Sequence, residues 1–102
     1  MTYSSGAYWE QRARQLIVSR GATVIARNYT SRLGEIDLIT LDGDRLAFIE
    51  VRYRNRSNFG SALASVSPDK QQKVLLTARM WVASDGDSCQ RSWRFAISAF
   101  EG

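Results

Sequence analysis

Residues 34–54 of this 102-residue chain decide the fold, and they read GEIDLITLDGDRLAFIEVRYR. Asp42-Gly43-Asp44 is a strong signal for a tight β-hairpin. Residues 35–41 alternate polar and apolar side chains over their first four positions, which predicts a strand before the turn. Arg45–Arg54 is the predicted strand after it. A hairpin of two strands therefore forms the centre of the predicted fold.

The hairpin predicts which side chains face each other. A turn at Gly43-Asp44 pairs positions whose numbers sum to 87, so Asp37 lies opposite Glu50, with β-carbons about 5 Å apart. Glu35 shares a strand face with Asp37, and Arg52 shares one with Glu50. Two carboxylates this close repel and need a cation, a shared proton or a basic partner. Mg²⁺, which prefers oxygen ligands and keeps positions for water and phosphate, suits such a pair.

The flanking segments complete one α/β or α+β domain over residues 1–102, with a sheet flanked by helices. Helical spacing predicts a first helix over residues 6–20, and β-branched residues predict a strand over 22–29. Ser67-Pro68 reads as an N-cap followed by proline at the first helical position, which predicts a second helix to Ser84. A last strand is expected over residues 92–100. The predicted order is α-β-β-β-α-β.

The charge of the chain and the absence of histidine limit the kinds of catalytic site it can form. The chain carries 14 Lys+Arg against 10 Asp+Glu, for a net charge of +4, and 12 of these cations are arginine. Between residues 52 and 80 there are six cations and one anion, so the most basic stretch adjoins the acidic pair.

The absence of histidine excludes histidine acid–base catalysis and His-ligated zinc, and the lone Cys89 excludes an internal disulfide. Carboxylates beside a phosphate-attracting surface suit metal-dependent phosphodiester chemistry.

A simpler interpretation stays open at this point. Glu50 could pair with Arg52, Arg54 or a cation across the sheet on a solvated strand, and surface ion pairs of this kind need no function. Glu50 shares its face with Leu46 and Phe48, however, which predicts partial burial of the acidic pair.

The motifs also resemble a known family. They are Gly34-Glu-Ile-Asp-Leu-Ile39, Phe48-Ile-Glu-Val-Arg52, Phe59-Gly60 and Lys70, with Gly6, Glu10, Ala13 and Arg27-Asn28 before them. Together they are similar to the bacterial UPF0102 or YraN family of predicted endonucleases. The resemblance covers about residues 5–98. It implies a single restriction-endonuclease-like domain with a central mixed β-sheet flanked by helices.

The resemblance implies a PD-(D/E)xK nuclease site close to that of Holliday-junction resolvases. Asp37 and Glu50 would be the two motif acids, Glu10 the helical acid and the Val51 carbonyl a further ligand of Mg²⁺ or Mn²⁺. Arg52 stands where the family usually has lysine, and arginine keeps its proton near neutral pH. The family also tends to carry an aspartate where this chain has Ala96.

Several expectations about partners follow. DNA is the expected nucleic acid, and four basic residues are expected to contact its backbone: Arg54, Arg56, Lys70 and Lys73. A non-catalytic nucleic-acid-binding module and a protein that binds an acidic partner are the alternatives. No segment reaches the length of a membrane span, so a cytoplasmic location is expected. A homodimer that cuts two strands is left open.

Overall fold

The hairpin forms as the sequence predicts. The computed structural model describes residues 5–54, 67–84 and 92–101. Its elements are α1 (Ser5–Ser19), β1 (Thr23–Thr30), β2 (Glu35–Asp42), β3 (Arg45–Arg54), α2 (Pro68–Ser84) and β4 (Ser92–Glu101). The predicted α-β-β-β-α-β order is therefore confirmed. The expected polar loop over residues 55–60, the helical turn over 61–66 and Cys89 lie outside the described residues.

The four strands form one mixed sheet in the order β1-β2-β3-β4. β1, β2 and β3 are antiparallel neighbours, and β4 runs parallel to β3. Gly43 turns the β2–β3 hairpin with a φ of 62°, a left-handed conformation that glycine adopts without a Cβ clash. The pairs from Asp42–Arg45 to Leu38–Ile49 all sum to 87, which confirms the predicted register.

A helix packs on each face of the sheet, and the alternation along β3 divides its side chains between them. Leu46 and Phe48 join a buried cluster with Val74 and Ala78 of α2. Ala47 and Ile49 join a second buried cluster with Ala13 of α1. Glu50 and Arg52 continue the face of Leu46 and Phe48, so they lie on the α2 side of the sheet.

The helix ends also agree with the sequence. Gly21, with a φ of 91°, follows α1 in the left-handed conformation typical of a helix C-terminus. The Ser67 hydroxyl accepts a hydrogen bond from the Lys70 backbone N–H at 3.2 Å, so Ser67 caps α2. This cap begins α2 directly beside the carboxyl-terminal half of β3.

The helical spacing of the apolar residues predicts that Leu16 of α1 and Leu75 of α2 lie in the core. This prediction is wrong for both residues, which are 41% and 40% exposed. A polar residue, Thr77, is fully buried in α2 instead. Its hydroxyl donates to the Lys73 carbonyl at 2.8 Å, which satisfies the buried group within the helix. Neither α1 nor α2 is long and apolar enough to cross a membrane.

Candidate functional site

An open pocket of about 380 Å³ lies on the α2 side of the sheet. Four carboxylates, Glu35, Asp37, Glu50 and Asp69, line it together with two cations of α2, Lys70 and Lys73. The rest of its lining is Leu33, Gly34, Ser67 and Val74. The acids that the sequence singles out thus share one cavity with part of the basic stretch.

Asp37 is held in place by the backbone of the neighbouring strand. It lies one residue beyond the last β2–β3 pair, Leu38–Ile49. Its Oδ2 accepts a hydrogen bond from the Val51 N–H at 2.7 Å. Because one carboxylate oxygen is fixed to β3 in this way, the side chain is oriented toward Glu50 before any ligand arrives.

Glu50 is buried, with 5% of its surface exposed, and two cations meet on one of its oxygens. Arg52 Nη2 lies 3.1 Å and Lys70 Nζ 3.2 Å from Glu50 Oε1. The pairing with Arg52 that the sequence left open therefore exists, although on a buried acid rather than a solvated strand. Lys70, expected at a nucleic-acid backbone, contacts the acid itself.

The two central acids hold their protons more strongly than ordinary carboxyls. Desolvation by burial raises the pKa of Asp37, against the hydrogen bond from Val51 and the charges of Arg52 and Lys70, which lower it. Burial also raises the pKa of Glu50, and the charge of Asp37 raises it further, while Lys70 and Arg52 lower it. Such a perturbed acid pair in a cavity is typical of functional sites.

The two central acids fit a divalent cation. Mg²⁺ binds through one or two carboxylates and keeps water on its other positions. Asp37 and Glu50 supply that donor set, and their mutual repulsion is relieved when a cation lies between them. The residues present are therefore compatible with the Mg²⁺ or Mn²⁺ that the sequence predicts.

Glu10 of α1 contacts Asn28 of β1. With its nitrogen facing both acids, the Asn28 amide donates to Glu10 Oε2 at 3.0 Å and to Glu35 Oε1 at 3.2 Å. Asn28 itself has a left-handed φ of 53°. Within residues 5–54, 67–84 and 92–101, no three acidic or cysteine side chains form a metal-binding group. The structure therefore does not bring Glu10 together with Asp37 and Glu50, and its role as a third ligand stays a prediction.

The segment before β2 is anchored to α2 and forms one wall of the pocket. The Ser31 and Thr77 hydroxyls are hydrogen-bonded at 3.0 Å. Ser31 also accepts from the backbone N–H groups of Leu33 and Gly34 at 3.0 and 3.3 Å. These contacts fix the turn that carries Glu35 into the cavity.

The expected nucleic-acid contacts are only partly described. Lys70 and Lys73 line the pocket. Arg54 ends β3, and Arg56 lies outside the described residues. The backbone contacts of these four residues stay predictions.

Sequence reasoning missed two contacts, the Lys70–Glu50 ion pair and the bridge that Asn28 makes between Glu10 and Glu35. The Ser67 cap correctly predicts Lys70 in the first turn of α2. No local pattern, however, reports that this turn lies over β3. Asn28 carries a weak signal, since asparagine tolerates the left-handed conformation better than most residues.

Comparison with known proteins identifies relatives along nearly the whole chain. A family model described as "Uncharacterised protein family UPF0102" matches residues 9–100. A UPF0102 protein of Klebsiella pneumoniae subsp. pneumoniae is 43% identical over 103 residues, which cover 100% of this chain and 80% of the relative. The UPF0102 protein YraN of Salmonella newport is 46% identical over 99 residues, which cover 96% of this chain and 76% of the relative. The chain belongs to the uncharacterised protein family UPF0102.

Proposed function

We propose that this chain is a metal-dependent nuclease that hydrolyses DNA phosphodiester bonds at the pocket of Asp37 and Glu50. The observation that carries the proposal is the buried Glu50, coupled to Asp37 and in contact with two cations at 3.1 and 3.2 Å. Burying a carboxylate is costly, and a second acid beside it adds to the cost. A structural ion pair gains nothing from that second acid, whereas a divalent cation can bind both acids and relieve their repulsion.

Asp37, Glu50 and the carbonyl of Val51 would hold the cation. When bound, Mg²⁺ or Mn²⁺ polarises a phosphoryl oxygen and lowers the pKa of a coordinated water. The hydrogen bond from Val51 keeps Asp37 in a fixed orientation, which reduces the reorganisation that binding requires.

The cations of the pocket would act on the substrate. Arg52 and Lys70 already converge on one oxygen of Glu50, so both can bond a phosphate that lies beside this acid. Arg52 Nε is buried and finds no acceptor among the described residues, so its guanidinium has capacity left for an anion. Lys73, one helical turn after Lys70, extends positive charge along the pocket wall.

A cleavage assay tests the proposal. Labelled single-stranded, duplex and four-way-junction DNA are incubated with the protein in Mn²⁺, in Mg²⁺ and in a chelator. Asp37→Asn and Glu50→Gln remove one charge each at nearly constant shape, and Asp44→Asn in the hairpin turn is the matched control. We expect metal-dependent cleavage that falls by about 100-fold or more in both site variants and is unchanged in the control.

No cleavage of any substrate would contradict the proposal, as would cleavage that both site variants retain. Preference among the three substrates identifies the DNA structure that is recognised. A cytoplasmic location, expected from the sequence, is part of this proposal.

The alternative is a non-catalytic nucleic-acid-binding module on the same scaffold. Arg52 favours it, because this arginine is paired with Glu50 at 3.1 Å and does not release a proton near neutral pH. The module predicts salt-sensitive DNA binding without turnover. Salt-sensitive DNA binding in an electrophoretic mobility-shift experiment, together with no cleavage in the assay above, would select this alternative.

A further inference from the structure

A second pocket, of about 300 Å³, lies on the opposite face of the sheet from the acidic pair. Its floor includes Ala47 and Ile49, which belong to the cluster packed on α1. Three arginines line it: Arg20 after α1, Arg45 at the start of β3 and Arg94 in β4. We call this cavity the arginine pocket.

The strand register brings two of these arginines close together. In the parallel ladder Arg45 pairs with Ser92, and Ala47 pairs with Arg94. Arg45 and Ala47 point to one face, and Arg94 lies beside Ala47 on that face. The Cα atoms of Arg45 and Arg94 are therefore about 8 Å apart, which lets two long guanidinium side chains reach one small ligand.

The charge of the arginine pocket is only partly compensated by its lining. Asp42 is the one carboxylate among its lining residues, against three guanidinium groups. Within residues 5–54, 67–84 and 92–101, Arg20, Arg45 and Arg94 form no ion pair. A net positive charge in a pocket attracts an anion.

Thr40 of β2 also lines the arginine pocket, and 4% of its surface is exposed. Its hydroxyl can donate a hydrogen bond to an oxygen atom of a bound anion.

We propose that the arginine pocket is a second binding site, for a phosphate group. Guanidinium groups suit phosphate because each can bond two of its oxygens at once. The floor of alanine and isoleucine accepts the less polar sugar or base of a nucleotide. The phosphate belongs either to a free nucleotide or to the backbone of a nucleic acid.

This phosphate is not the one that the proposed nuclease cleaves. Arg45 precedes Glu50 by five residues on the same strand, a separation of about 17 Å, and Ala47 and Glu50 face opposite sides of the sheet. The site therefore stands independently of the proposed function.

Nuclear magnetic resonance titration tests the site. The probes are inorganic phosphate, deoxyadenosine monophosphate, deoxyadenosine and a short single-stranded oligonucleotide, all in a chelator so that cleavage is suppressed. We expect the phosphate-bearing probes to shift the amide signals of Thr40, Ala47 and Ala96, and deoxyadenosine to leave them in place. Binding should weaken as salt is raised.

Matched variants distinguish binding in the arginine pocket from nonspecific attraction to the positive charge of the protein. Arg45→Gln combined with Arg94→Gln should weaken binding of deoxyadenosine monophosphate by about tenfold or more, since charge-assisted hydrogen bonds are lost. Arg12→Gln combined with Arg79→Gln removes the same charge from exposed positions outside both pockets and should leave binding unchanged. The dispersion of the amide signals checks that each variant is folded.

Three results would overturn the proposal: no shift with any phosphate-bearing probe, equal shifts with deoxyadenosine, or equal losses in the two double variants. Tighter binding of the oligonucleotide than of the monophosphate would assign the phosphate to a nucleic-acid backbone. The reverse order would assign it to a free nucleotide, and both orders support the phosphate site.

Discussion

Lys70→Met tests the contact that joins α2 to the acidic pair. The substitution keeps an unbranched side chain and removes the ammonium group that lies 3.2 Å from Glu50 Oε1. Hydrogen bonds to charged groups contribute about 1.5–3 kcal/mol when they are shielded from water. The Lys70 side chain is 40% exposed and Arg52 still neutralises Glu50 after the change, so the expected loss is smaller, about 1 kcal/mol.

Urea or thermal unfolding in a chelator at neutral pH measures this loss, which corresponds to about 4–8 °C in Tm for a domain of this size. A double-mutant cycle with Glu50→Gln isolates the pairwise coupling, which should also be about 1 kcal/mol. Lys73→Met is the matched control, because Lys73 lines the same pocket but has no ion pair with Glu50 among the described residues. Its coupling to Glu50 should be close to zero.

The coupling also has a predicted pH dependence. It requires Glu50 to be ionised, and burial and the charge of Asp37 raise the pKa of Glu50 above its ordinary value of 4.5. The coupling should therefore be present at neutral pH and disappear as the pH falls through this raised pKa. Equal coupling for Lys70 and Lys73, or coupling that persists below pH 4.5, would refute the reasoning.

The remaining predictions concern the acids and their neighbours. Burial raises the pKa of Asp37 above 3.8, so ionised Asp37 destabilises the folded state at higher pH. Asp37→Asn should therefore raise Tm in a chelator at neutral pH. The gain in Tm should vanish below pH 3.8, where Asp37 is protonated in both the folded and the unfolded state. Thermal scans against pH measure this, and a constant gain would contradict it. Arg52→Lys introduces the lysine that the resemblance to nucleases implies at this position and should increase the rate of DNA cleavage in Mn²⁺. An unchanged or lower rate would show that this arginine does not limit the site. Asn28→Ala removes the donor that joins Glu10 to Glu35 at 3.0 and 3.2 Å, so it should weaken Mn²⁺ binding in a calorimetric titration. Unchanged binding would contradict a contribution of Glu10 to the site.

The hairpin shows why much of the fold could be predicted. The Asp42-Gly43-Asp44 turn fixes the register, and the register in turn decides which residues of β2 and β3 are neighbours. That relation placed Asp37 and Glu50 in one pocket from local information alone. The helix ends at Gly21 and Ser67 follow from equally local chemistry.

The contacts between elements could not be predicted in the same way. Lys70 reaches Glu50 because α2 packs over the face of Leu46 and Phe48, which no short-range pattern encodes. Leu16 and Leu75 fit the helical spacing of a core position, but they are 41% and 40% exposed. Periodicity identifies which side of a helix is apolar, and packing decides how much of that side is buried.

The central claim is that Asp37 and Glu50 form one divalent-cation site, and paramagnetic broadening by Mn²⁺ tests it most directly. The amide signals of the native protein and of Asp37→Asn are compared during a Mn²⁺ titration, with Asp44→Asn as the control. We expect the signals of Asp37, Glu50 and Val51 to broaden first in the native protein and the control, and this broadening to be lost in Asp37→Asn. Broadening that begins elsewhere, or that Asp37→Asn leaves intact, would contradict it.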